Sequence, residues 1–193
     1  MRLKQLSETL ATGSSSYSYD GGNTVKPEHE WLEQEKNAAS RKIAGSSAPG
    51  TFAGVNFDAA TLGAFSSYMK AQKIPNPVDL DTLHTTLLYS KRNLPNYAPE
   101  EKYGEPLVAK AAGLDIFSGS GGEKNCLVLK LDCEALKQRH SDLMIDHNAD
   151  YDFDEYRPHV TLSYDVGDAK PEDFEDFDRP INITGEYHED LNK

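Results

Sequence analysis

Cysteine is nearly absent from this chain. Its 193 residues include two, Cys126 and Cys133. That is too few for a disulfide scaffold and points to a reducing compartment. Tryptophan occurs once, at Trp31. No stretch approaches the roughly 20 apolar residues that a membrane-spanning helix needs, and the first residues lack the apolar core of a secretory signal. No membrane partner is therefore expected. Positive charge is also short. Twenty Lys and Arg face 32 Asp and Glu, a net charge of −12. Broad binding to DNA or long RNA, which depends on Lys and Arg neutralising phosphates, is disfavoured.

The acid is not spread evenly. Residues 1–50 and 51–131 are each neutral overall, whereas 132–193 hold six basic and eighteen acidic side chains. A solvated acidic face that keeps the protein soluble and repels non-specific nucleic acid accounts for most of this.

The chain divides near residue 50. Residues 12–23 (TGSSSYSYDGGN) have no apolar period and too little apolar surface to offset the loss of chain entropy. A short helix fits residues 28–42, with Pro27 at its first turn, and AGSSAPG at 44–50 reads as a linker. Residues 1–50 are thus expected to be a flexible extension, with a partner of its own left open. Residues 51–193 are expected to form one domain, close to the usual domain size of roughly 100–150 residues.

Within that domain the pattern predicts strands at 52–57, 83–90, 107–117, 127–131, 159–164 and 181–187. Helices are predicted after Asp58, a good N-cap, and over 133–147. Leu62, Phe65 and Met69 recur at helical spacing in the first helix; Leu136, His140, Leu143 and His147 do so in the second. The order β-α-β-β-β-α-β-β indicates an α+β fold with helices on largely antiparallel sheets.

Two segments rhyme. His84-Thr85-Thr86-Leu87-Leu88-Tyr89 and His159-Val160-Thr161-Leu162-Ser163-Tyr164 share the form H-x-T-L-x-Y, each following a predicted helix. Residues two apart on a strand project to one side, so each motif presents an imidazole beside a hydroxyl. Paired imidazoles suit phosphodiester cleavage. One can remove a proton from the nucleophile and the other can protonate the leaving oxygen, because histidine titrates near neutral pH. The Thr hydroxyls can donate to the phosphate as charge builds. A ribose 2′-hydroxyl beside the phosphate can be the nucleophile, and no cofactor or metal is required.

The paired motifs resemble the 2H phosphoesterase superfamily. The chain is most similar to the phage anti-CBASS nucleases, through GTFAGVNF at 50–57, HTTLLYSKRNLPNY at 84–97, NCLVLKLD at 125–132, RPHVTLSYD at 157–165 and ITGEY at 183–187. The resemblance implies a bilobal, pseudo-two-fold fold with a central cleft. It implies metal-independent cleavage of 3′–5′ bonds in cyclic di- and trinucleotides such as 3′3′-cGAMP, in the cytoplasm of an infected bacterium. Carried over, His84 and His159 are the acid–base pair, Thr86 and Thr161 hold the phosphate, and Glu186 contacts a base edge. Phe52, Tyr89, Tyr164, Lys91 and Arg157 complete the expected substrate contacts. Two positions depart from the family. Phe52 stands where an aromatic hydroxyl is usual, and Ser120 lies in a loop that usually carries Trp, with Phe117 or Tyr97 as the aromatic residue expected to compensate. The alternatives are a 2H phosphodiesterase acting on 2′,3′-cyclic RNA ends, or a module that sequesters nucleotides without cutting them.

Other patterns are weaker. Asp150, Asp152 and Asp154 resemble the start of a calcium loop, but Glu155 stands where glycine is needed and Thr161 where the closing Glu belongs. His140 and His147 share a helix face with Leu136 and Leu143, which fits a half-buried face better than a metal site. Gly119–Gly122 lacks the Lys-Ser/Thr of a phosphate loop and reads as a mobile turn.

Overall fold

In the computed structural model, residues 49–117, 124–153 and 155–191 are described. The readings of the N-terminal extension, Trp31, Ser120 and the Gly119–Gly122 turn lie outside them. The elements run β1 (Thr51–Phe57), α1 (Ala59–Ala71), β2 (Thr85–Ser90), β3 (Leu107–Phe117), β4 (Cys126–Asp132), α2 (Glu134–Asp146), β5 (His159–Ser163), a 3₁₀ turn at Pro171–Asp173, and β6 (Ile181–Asp190). This is the α+β order expected from the pattern. The first motif strand is shorter than expected: β2 begins at Thr85, so His84 stands just outside it.

Among the described residues the six strands form one sheet in the order β2-β1-β6-β3-β4-β5, with every neighbouring pair antiparallel. The sheet contains a repeat. β1 and β2 are antiparallel neighbours joined through α1, and β4 and β5 are antiparallel neighbours joined through α2. Each half therefore delivers its motif onto an outer strand immediately after its helix.

Local chemistry accounts for these elements. The Asp58 carboxylate accepts the Thr61 N–H at 2.7 Å and so caps α1. It also accepts from the Asn182 side chain at 2.9 Å, which ties the helix start to β6. These hydrogen bonds hold its pKa below the usual carboxylate range, that from the Thr61 backbone contributing most. Phe65 is fully buried, with Phe57 at 5.5 Å and Phe177 at 5.1 Å between ring centroids. Cutting such a ring back to alanine costs about 3–5 kcal/mol. Leu62 packs against the core while staying partly exposed, and Thr61 beside it is buried, its hydroxyl accepting the Asn182 N–H at 3.0 Å.

One main core joins the halves. It takes Ala53 and Val55 from β1, Leu127 and Leu129 from β4, Val160 and Leu162 from β5, and Leu136 and Leu143 from α2. Two small satellite clusters stand apart from it, Phe52 with Tyr89 and Leu191, and Phe117 with Cys126 and Val128.

Candidate active site

The register assigns both motifs to the face turned away from the main core. On β1, Gly54 pairs with Thr86 on one side and with Tyr187 on the other, and Phe52 pairs with Tyr89 and Glu189. Cross-strand partners share a face, so Thr86 lies with Phe52, Tyr89, Tyr187 and Glu189. In the second half, Val128 pairs with Thr161 and Lys130 with His159. Each motif histidine packs against a ring of its own satellite cluster. Phe52 lies 5.6 Å from His84, and Phe117 lies 5.2 Å from His159, both edge-on.

The two rings are fixed in the same way. His84 Nδ1 lies 2.9 Å from the Thr82 carbonyl, and His159 Nδ1 lies 2.8 Å from the Arg157 carbonyl, each two residues upstream. A carbonyl only accepts, so Nδ1 carries the hydrogen in both rings and Nε2 is the basic nitrogen. His84 is half-buried; His159 and Thr161 are buried at 4% and 6% exposure.

The motifs meet because the sheet's two outer strands do. β2 and β5 end the strand order, yet they approach each other in space. Each is capped by the opposite half. The Tyr156 hydroxyl, three residues before His159, donates to the Thr86 carbonyl at 2.7 Å. His140 of α2 donates Nδ1–H to the Leu87 carbonyl at 2.8 Å and stacks on Tyr156 at 4.1 Å. Burial holds the His140 imidazole below its ordinary pKa, against the effect of that carbonyl. In return, the Val78 N–H donates to the Leu162 carbonyl at 2.9 Å and Ser163 Oγ donates to the Pro75 carbonyl at 2.6 Å. Backbone groups on outer strands need partners, and here those partners hold one motif against the other.

Gly54 makes room in the first half. A Cβ there would fall 2.6 Å from the Tyr187 ring, which therefore lies directly over β1. Tyr187 is also 6.0 Å from Phe52. Sequence reasoning missed Tyr187, because the close approach that requires glycine is visible only across strands.

Glu186 is not where the resemblance places it. It pairs with Val55, on the core side, and is 1% exposed. Its carboxylate accepts from Arg139 Nε at 2.6 Å and the terminal nitrogen at 3.1 Å, from the Tyr97 and Tyr103 hydroxyls at 2.9 Å each, and from the Glu100 N–H at 3.3 Å. With its acceptor sites occupied, this carboxylate fastens α2 and the 97–103 segment to β6. Burial pushes its pKa up, but hydrogen bonds from Arg139, Tyr97 and Tyr103 outweigh burial and hold it below the ordinary value. Burial, then the neighbouring carboxylate, pushes both tyrosines well above 10, so they remain donors. Glu189, three residues on and exposed, is the carboxylate that shares a face with Phe52. Tyr97, expected to stack on a base, belongs instead to the Glu186 network; Phe117 does lie beside a motif histidine.

The remaining expected contacts are placed as follows. Tyr89 is buried against Phe52, and Tyr164 packs on the Phe117 cluster. Lys91 is ion-paired with Asp152, and Arg157 with Glu155 at 3.0 Å. Cys126 and Cys133 are buried thiols, not joined in a disulfide. Among the described residues no group of three His, Cys, Asp or Glu is arranged to hold a metal ion. No helix among them is long and apolar enough to cross a membrane. A groove between α1 and residues 175–179, lined by Gly63, Ser67, Tyr68 and Asp176, carries no motif residue.

Residues 49–193 match the family described as "Anti-CBASS protein Acb1". The anti-CBASS protein Acb1 of Acinetobacter phage Ac42 is 37% identical over 142 residues, 74% of this chain and 91% of that protein. That of Enterobacteria phage T4 is 36% identical over 143 residues, 74% of this chain and 88% of that one. Among solved structures, E. coli LigT complexed with phosphate aligns over 74% of this chain and 87% of its own, with a TM-score of 0.48 and 14% identity, a likeness too loose to carry a conclusion.

Proposed function

Because the chain belongs to the Acb1 family of anti-CBASS proteins, we propose that it cleaves 3′–5′ phosphodiester bonds of cyclic di- and trinucleotide immune signals, such as 3′3′-cGAMP, and so blunts bacterial CBASS defence inside the infected cell. The supporting observation is the pair of His-x-Thr motifs on the non-core face of β2 and β5, each histidine held through Nδ1 by a carbonyl two residues upstream.

In this reading the scissile phosphate sits at the meeting of the two strands. Thr86 and Thr161 donate to its non-bridging oxygens. One Nε2 takes the proton of the adjacent 2′-hydroxyl, whose oxygen attacks phosphorus. The other Nε2, protonated, gives its proton to the departing 5′-oxygen. A 2′,3′-cyclic phosphate and a free 5′-hydroxyl result, and the two imidazoles exchange roles when water opens that ring. General acid–base catalysis of this kind contributes about 10²–10⁴-fold, and the hydroxyls stabilise charge as it builds. No metal takes part. Tyr187, half-buried over β1 with the buried Phe52 packed beside it, offers its ring to a base, and the exposed Glu189 offers a carboxylate to the base edge. Base stacking of this kind is worth roughly 1–3 kcal/mol per base.

Turnover of 3′3′-cGAMP and cyclic tri-adenylate, measured beside RNA carrying 2′,3′-cyclic ends, tests the reading. Faster cleavage of the cyclic signals supports it. Cleavage confined to RNA ends selects a general 2H phosphodiesterase, and tight binding without product selects a sequestering protein.

A further inference from the structure

We infer that Lys130 binds the substrate phosphate beside the second motif and that Asp115 holds it ready to do so. The inference rests on the proposed phosphodiester chemistry and adds a residue to it. β4 sets Lys130 directly opposite His159, so the two side chains rise from one face as cross-strand neighbours. The lysine reaches along that face, its Nζ 3.0 Å from Asp115 Oδ2. Asp115 pairs with Val128, which pairs with Thr161. The ammonium therefore lies along the rows that carry His159 and Thr161. The Asp115 carboxylate is itself fixed, because Oδ1 accepts the Ile116 N–H at 2.9 Å.

The pair is 38% and 30% exposed. Ion pairs this accessible contribute little to fold stability, and a phosphate oxygen can replace the Asp115 oxygen at small cost. The halves differ here. Carrying the Val55–Thr85 register one step further sets Asn56 opposite His84, and an amide carries no charge. The cations flanking the motifs, Lys91, Arg92 and Arg157, stand outside the strands and are paired with Asp152, Asp150 and Glu155. Lys130 is, among the described residues, the lysine or arginine in strand register with a motif histidine. Its ammonium gives the second motif the charge the first lacks, and a phosphate gaining negative charge in the transition state strengthens that contact.

The test compares wild type, Lys130→Met, Lys130→Arg and Asp115→Asn with 3′3′-cGAMP at several ionic strengths. Lys130→Met should lower kcat/KM about tenfold to a hundredfold, the scale of a lost charge-assisted hydrogen bond, and flatten its salt dependence. Lys130→Arg should restore part of the loss. Asp115→Asn should tighten KM, because it removes the lysine's competing partner and an anion near the phosphate. An ion pair that only braces the sheet moves Lys130→Met and Asp115→Asn in the same direction and leaves the salt slope unchanged, and that result overturns the inference. Calorimetric binding of 3′3′-cGAMP to a His84→Ala/His159→Ala protein, with and without Lys130→Met, separates this inference from the cleavage reading. Lysine-dependent binding by a chain whose wild type does not cleave upholds Lys130 and removes the catalytic proposal. Absence of binding overturns both.

Discussion

Replacing Glu186 with glutamine separates a structural carboxylate from a base-reading one. The side chain is 1% exposed and accepts from Arg139, Tyr97, Tyr103 and the Glu100 N–H. The amide keeps one acceptor oxygen but puts an NH₂ in place of the other, facing groups that themselves donate. It also leaves Arg139 without its counter-charge. Breaking a buried pair from one side costs about 3–5 kcal/mol. The Arg139 side chain is 31% exposed, so water relieves part of the loss and the expected figure is the low end, about 3 kcal/mol. At about 2–4 °C per kcal/mol for a chain of this size, that lowers Tm by roughly 6–12 °C. A pH signature accompanies it. The folded pKa of Glu186 lies below its ordinary 4.5, so its contribution is present above that value and is lost as pH falls through the folded one. The wild type should lose stability below about pH 4.5 more steeply than Glu186→Gln. Urea unfolding across pH 3–7, with the substrate panel in parallel, reads both. A variant as stable as wild type but altered in its choice of nucleotide base would refute the structural assignment and restore the base-edge role.

Further outcomes follow from the same geometry. Tyr156→Phe keeps the stacking on His140 but removes the donor to the Thr86 carbonyl; stability should fall by about 1 kcal/mol, while kcat, measured well below Tm, falls with KM little changed. If instead KM rises with kcat intact, Tyr156 does not hold the two motifs together. Glu189→Gln should shift preference among cyclic nucleotides that differ in base without changing Tm, and an unaltered preference would remove it from the base site. Neutralising the acids between Glu172 and Asp178 should raise binding to long RNA, read by filter retention at low salt; no rise removes the idea that this exposed acid excludes polymers.

The paired His-x-Thr motif is legible in the sequence because it is local. A histidine and a threonine two apart, repeated after each helix, are visible without knowing which strands pair. The succession of strands and helices along the chain, the Asp58 cap and the Phe65 face are local as well. Glu186 shows where such reading stops. In GEYHED, Glu186 and Glu189 are three apart and must lie on opposite faces, but only the pairing of Val55 with Glu186 and Phe52 with Glu189 decides which one faces the site. Lys91 and Arg157 read as cations open to a ligand because their partners, Asp152 and Glu155, are set by loops with no periodicity to follow. Tyr156 gave no signal, and for His140 the helical spacing showed a half-buried face but not its partner, since a side chain donating to a distant backbone carbonyl leaves no spacing in the chain.

The central claim is that two imidazoles, with no metal, perform the cleavage. It is tested most directly by following 3′3′-cGAMP turnover in excess EDTA for wild type, His84→Ala and His159→Ala. The account predicts full activity for wild type and a loss of at least about 10²-fold in each variant, with Tm preserved. Activity abolished by EDTA, or a folded histidine variant that still turns over at the wild-type rate, would contradict it.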